Sequence, residues 1–149
     1  MTKRGIPKLI PALALALMIA AAGAVRAETG PESPSPFGVW FTASGKAAIE
    51  TFRCDAATLC GRIVWMADHT ARLCGIEILH GFEPDGEGAW HKGTILDPRD
   101  GERWQAVISP EAGGVLHVRG FVLVPLLGQT QVWTRVPADF SERCRPATD

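Results

Sequence analysis

Arg103-Trp104-Gln105-Ala106-Val107-Ile108-Ser109, the turn Ala112-Gly113-Gly114, and Val115-Leu116-His117-Val118-Arg119-Gly120-Phe121 decide the fold. The first run alternates: Trp104, Ala106 and Ile108 share one face, and Arg103, Gln105 and Val107 take the other. That is the period-two pattern of a half-buried strand. The link to the next apolar run is short. Short links require antiparallel neighbours, because a parallel return needs a dozen residues or more.

The same grammar repeats outward from this pair. Extended runs are expected at Gly38–Thr42, Ala47–Cys54, Leu59–Met66, Ile76–Gly81, Ala89–Leu96 and Gln129–Val136. Between them lie Ser44-Gly45-Lys46, Asp85-Gly86-Glu87-Gly88 and Asp97-Pro98-Arg99-Asp100-Gly101, residues whose backbone preferences suit tight turns. Only Ala67–Leu73 and the tail Ala138–Arg145 have room for a helical turn or two. The pattern therefore predicts an all-β fold, an eight-stranded antiparallel up-and-down meander. Closing such a meander into a barrel removes its exposed edges. In Ala47–Cys54 and Gln129–Val136 the facing stays open.

The first residues read as a secretory signal peptide. Lys3, Arg4 and Lys8 precede an apolar run from Leu9 to Ala24, and Val25-Arg26-Ala27 fits cleavage after Ala27. The run is shorter than the roughly 20 residues of a membrane-spanning helix. Residues 1–27 are thus assigned to the signal peptide and 28–36, rich in Pro and Gly, to a flexible arm. Residues 37–149 are assigned to a single β-barrel domain with a C-terminal tail. Processing removes four cations and no acid, leaving eleven Lys and Arg against sixteen Asp and Glu, a net charge of −5. An acidic chain argues against nucleic acid or an anionic membrane surface as partner. A soluble monomer, periplasmic or secreted, is expected, with no membrane span after processing.

All four cysteines lie beyond residue 27, where an oxidising compartment favours disulfides over metal ligation or a reactive thiol. Cys54 ends one expected strand and Cys60 opens the next. Facing hairpin positions lie about 4.5 to 5.5 Å apart at Cα, within reach of a disulfide. Cys54–Cys60 is the favoured pair, which leaves Cys74 with Cys144. On a chain-entropy basis the long link contributes about 4 kcal/mol and the short one about 2.5 kcal/mol.

Three segments carry a family resemblance: Gly38-Val39-Trp40; Leu59-Cys60-Gly61-Arg62-Ile63-Val64-Trp65; and Val118-Arg119-Gly120-Phe121 with Leu127-Gly128-Gln129-Thr130-Gln131-Val132-Trp133-Thr134-Arg135. Together with Asp97-Pro98 and Asp100-Gly101, in this order, they resemble the secreted bacterial family known as domain of unknown function 2147. The resemblance runs from about Phe37 to Val136. It implies a lipocalin-like (calycin) barrel, an envelope or secreted location, and no established activity. The chain departs from the family pattern between Met66 and Gly75, and Leu96 and Trp104 stand where tyrosines are expected. In calycin barrels a first-strand tryptophan plugs the closed end beneath an arginine from a late strand. Trp40 with Arg135 or Arg119 is the corresponding structural pair here, a cation–π contact of roughly 1–2 kcal/mol when desolvated.

Trp65, Trp90, Trp104 and Trp133 are candidates to line a cavity, since indole offers a large apolar area with one donor. Arg62 and Arg119, set in apolar strands, are candidate partners of a ligand carboxylate, although each has a plainer alternative in an outward ion pair. The ligand contacts selected are Trp65, Trp133, Arg62 and Arg119. His69, His80, His91 and His117 are scattered with no zinc-binding spacing, so neither metal nor cofactor is expected. No nucleophile elbow, Cys–His arrangement or acid pair in a motif context occurs, so no enzymatic activity is expected. Two functions remain. One is a binding protein for a small apolar or amphipathic molecule held in the barrel. The other is a filled, rigid barrel that binds an envelope protein through Ala67–Leu73 and Val122–Leu127.

Overall fold

The computed structural model describes residues 34–68 and 71–144. The expected signal peptide and most of the arm lie outside the described residues, as does His69. Eight strands follow in chain order: β1 (Gly38–Phe41), β2 (Ala47–Arg53), β3 (Leu59–Met66), β4 (Glu77–Pro84), β5 (Trp90–Leu96), β6 (Arg103–Glu111), β7 (Val115–Phe121) and β8 (Gln129–Arg135). Each pairs antiparallel with its neighbour in sequence, and β8 returns to β1 to close the barrel. The all-β up-and-down barrel expected from the sequence is the observed fold. Single 3-10 turns at Ala71–Leu73 and Pro125–Leu127 are the helical elements among the described residues.

Closure is short, with Trp40 opposite Arg135 and Phe41 opposite Thr134. Side chains reinforce it. The Arg135 guanidinium lies 3.9 Å from the Trp40 ring centroid and donates to the carbonyls of Phe37 (2.6 Å) and Ser35 (2.9 Å). Trp40 is almost wholly buried, and its indole N–H donates to Pro36 O (3.0 Å) and Thr51 Oγ1 (3.1 Å). Gly38 has φ +131°, and a Cβ there would collide with the Arg135 guanidinium. The Gly-x-Trp pattern thus has two causes, a backbone conformation that only glycine tolerates and the space an arginine needs above the indole. Partial burial lowers the Arg135 pKa from its very high ordinary value.

Both disulfides have the expected connectivity. Cys54 and Cys60 sit 5.5 Å apart at Cα beside the β2–β3 turn, and Cys74 and Cys144 sit 5.9 Å apart. The second holds the tail against the outside of β1 to β3. There Phe140 packs edge-on to Phe41 and Trp65, with centroids at 5.1 and 5.6 Å. The Cys144 amide donates to Val64 O.

Inside, Leu59, Phe82, Ile108, Leu116 and Trp40 fill the half of the barrel nearer the β2–β3, β4–β5 and β6–β7 turns. Two inward glycines make room. A Cβ on Gly93 would run into the Phe82 ring, and one on Gly61 would press on Leu79. Register shifts mark bulges, with Val64 as the extra residue in β3 where Ala48 faces Trp65 but Ile49 faces Ile63. In β5, Trp90 faces Ile108 and Gly93 faces Ala106, and Lys92 takes up the extra length at φ +61°. Such bulges bend strands and change their facing. Gly93→Ala is expected to destabilise the barrel by about 1–3 kcal/mol through overpacking. Thermal denaturation of Gly93→Ala, with Phe82→Leu added to recover part of the loss, checks this.

Candidate functional site

The filled half leaves space at the opposite end, where the β1–β2, β3–β4, β5–β6 and β7–β8 connections gather. A cavity of about 960 Å³ opens there. That lies within the range of small-molecule sites, roughly 300–1,000 Å³. Its body is apolar: Ile49, Ile63, Ile78 and Ile95 face Trp133 and Trp104. Ile49 and Ile63 are opposite one another in the β2–β3 ladder, and Trp104 is opposite Ile95 in β5–β6. Trp133 is buried and its indole N–H donates to Gln131 Oε1 at 2.9 Å, so the interior donor is already satisfied. Trp104 is 41% exposed and stands in the mouth.

The rim is charged, carrying Lys46, Asp68, Arg72, Asp97 and Arg99. Arg99 is committed to Asp97, with Nε to Oδ1 at 3.0 Å and a terminal nitrogen to Oδ2 at 2.6 Å. This hydrogen bonding lowers the Asp97 pKa from its ordinary value, opposed in part by burial. Among the described residues, neither Lys46 nor Arg72 makes an ion pair, and no histidine or cysteine lines the cavity.

The tryptophans and arginines singled out from the sequence separate sharply. Trp133 and Trp104 line the cavity. Trp90 is buried in the filled half against Phe37, with centroids at 5.5 Å. Trp65 is on the outside of the barrel. It packs on Phe41 at 5.7 Å and on Phe140, and its indole donates to Glu142 at 2.9 Å. The expectation of a ligand contact at Trp65 is therefore corrected. Gly61, Ile63 and Trp65 alternate in sequence, but the extra residue Val64 shifts the parity and puts Met66 on the cavity instead.

The two candidate arginines also face outward. Arg62 lies opposite Glu50 and pairs with it at 2.7 Å, and its guanidinium rests over Phe52 at 5.1 Å. Arg119 holds the β7–β8 connection, donating to Pro125 O (2.6 Å), Leu126 O (3.2 Å) and Thr130 Oγ1 (2.8 Å). Neither lines this cavity, so both are corrected as contacts to a ligand held inside the barrel. Of the two arginines considered for Trp40, Arg135 is the one above it.

Sequence reasoning missed Lys46 and Arg72, since a lysine after Ser44-Gly45 and an arginine in an irregular segment read as solvated loop charges. The connection Val122–Leu127 does not line the cavity. Val122, Leu123, Val124, Leu126 and Leu127 project outward, with Leu126 at 85% exposure and Leu123 at φ +73°. Elsewhere, ligand atoms of Cys60, Glu77 and His80 lie within 4.8 Å of one another. The Cys60 sulfur is bonded to Cys54, which removes the thiolate that a metal would take.

Comparison with known proteins agrees with this architecture. Residues 38–135 match the family described as "Uncharacterized protein conserved in bacteria (DUF2147)". The solved structure of protein HP1028 from Helicobacter pylori, described as belonging to the lipocalin family, superposes with a TM-score of 0.58 at 16% sequence identity. The match covers 72% of this chain and 85% of that one. No curated protein matches the chain.

Arg119→Ala is expected to release the β7–β8 connection while leaving the barrel folded. Amide hydrogen exchange should quicken at residues 122–128 and stay protected in β2, β3 and β6. Unchanged exchange at 122–128 would mean that the arginine does not hold the loop.

Proposed function

We propose that this chain, which belongs to the DUF2147 family of uncharacterised bacterial proteins, is an exported binding protein that holds a small apolar or amphipathic molecule in the mouth half of its barrel. The observation that carries this is the apolar cavity of about 960 Å³ beside a filled opposite half. A barrel of eight strands is able to fill itself with its own side chains or to hold one small ligand. Here Gly93 and Gly61 let Phe82 and Leu79 fill one end. The isoleucines at the other end surround space. A lipocalin-like fold fits small-ligand binding, and the two disulfides suit an oxidising compartment outside the cytoplasm. Among the described residues, no helix is long and apolar enough to cross a membrane. Binding, in a monomer, is proposed rather than catalysis, because the described residues of the cavity lining offer apolar surface and fixed charge.

A second function draws on a different observation. The exposed run Val122–Leu127 lies outside the cavity and forms an apolar patch held in place by Arg119. Patches of this kind mark protein-interaction surfaces. An envelope protein is the partner this surface suits, and it would be engaged independently of the cavity.

A neutral apolar fluorophore, N-phenyl-1-naphthylamine, tests the cavity. Its emission is expected to rise on binding the wild-type protein and to fall sharply in Ile63→Trp or Ile78→Trp, which fill the space. Leu126→Ser, on the outer patch, should leave binding unchanged. Equal loss in Leu126→Ser, or no loss in the filled variants, would move the site to the outside of the barrel.

A further inference from the structure

We infer that the cavity selects an anionic amphiphile, its apolar body among the isoleucines and its negative head at the rim between Lys46 and Arg72. This inference rests on the cavity being the binding site. The two cations come from separate segments, Lys46 from the β1–β2 turn and Arg72 from the 3-10 turn after β3, and both line the same mouth. Three cations of this barrel are neutralised in place, one of them, Arg99, on the same rim. Arg62 is paired with Glu50, Lys92 with Glu83, and Arg99 with Asp97. Among the described residues, Lys46 and Arg72 lack such partners, and Asp68 is the remaining acid of the lining. The rim thus carries three cations against two acids on a chain whose whole charge is negative.

The interior decides which way round a ligand lies. Its indole donor at Trp133 is already given to Gln131, and the isoleucines around it offer no hydrogen bond. A charged head placed there would lose its hydration with nothing in return. At the rim it keeps part of its water and gains charge-assisted hydrogen bonds, which are stronger than neutral ones. A low-dielectric wall around the mouth also focuses the field of the two cations on an approaching anion. An uncharged amphiphile gains nothing from them, and a cationic one is repelled. A cavity of this size suits a single alkyl chain or a compact ring system.

The test is a set of ligands with one tail and different heads: dodecanoate, dodecyl phosphate, dodecanol and dodecylamine, below their aggregation limits, followed by titration calorimetry and tryptophan emission. Dodecanoate or dodecyl phosphate is expected to bind at least about tenfold tighter than dodecanol, with dodecylamine weakest. The advantage should shrink as salt is raised. Which of the two anions binds tighter tells a carboxylate ligand from a phosphate one. In Lys46→Gln, Arg72→Gln protein, the ratio between anion and alcohol is expected to fall to near one. Equal affinities for all four heads in the wild type, or a ratio unchanged in the double variant, would overturn the inference while leaving the cavity as the site. Absence of binding by every member would overturn the cavity itself, and this inference with it.

Discussion

The contact between Arg135 and Trp40 is the constraint on which the rest of the barrel depends. Two register pairs and the Val136 amide donating to Val39 O join the end of the last strand to the first, so the backbone ladder alone makes a short seam. Arg135 spans it, stacking on Trp40 and taking the carbonyls of Ser35 and Phe37. At an exposed guanidinium such as this one, a cation–π contact contributes about 0.5–1 kcal/mol, and the two hydrogen bonds from the charged donor add to it. The same group of residues plugs one end of the barrel, because Trp40 fills the interior that Arg135 caps. With that end filled and hydrogen-bonded, the open space is left at the other. The site is positioned by the closure.

Strand order, turns and disulfides were legible in the sequence because each has a local physical signature. Alternation in Arg103–Ser109, turn residues between runs, and Cys54 and Cys60 flanking one short loop all state their geometry over a few residues. Facing was legible only where the ladder is regular. Trp104 reads inward from its own strand and is inward, since β6 and β7 pair without a shift. Trp65 reads inward and is outward, because one extra residue at Val64 shifts the parity of the strand end. A valine in an apolar run carries no mark of a bulge. Lys92, at positive φ in β5, hides a second one in the same way.

The arginines show a related limit. Arg62 and Arg119 stand among apolar neighbours, which suggests inward charge, yet both serve the outer surface. Arg62 answers Glu50 across the ladder, and Arg119 collects carbonyls that the β7–β8 connection would otherwise leave to water. The cations that reach the cavity mouth come from loops, where sequence pattern has no period to read. Their place is set by closure of the barrel, which brings four separate connections to one end. The outer apolar run beside them is independent of the cavity, so one small barrel presents two surfaces of different chemistry.

Methyl NMR on protein labelled at Ile, Leu and Val, titrated with dodecanoate, tests the central claim most directly. If the mouth half of the barrel is the binding site, the methyls of Ile49, Ile63, Ile78 and Ile95 shift together while those of Leu123 and Leu126 stay in place. Shifts confined to Leu123, Leu126 and Leu127 would contradict it and assign binding to the outer surface.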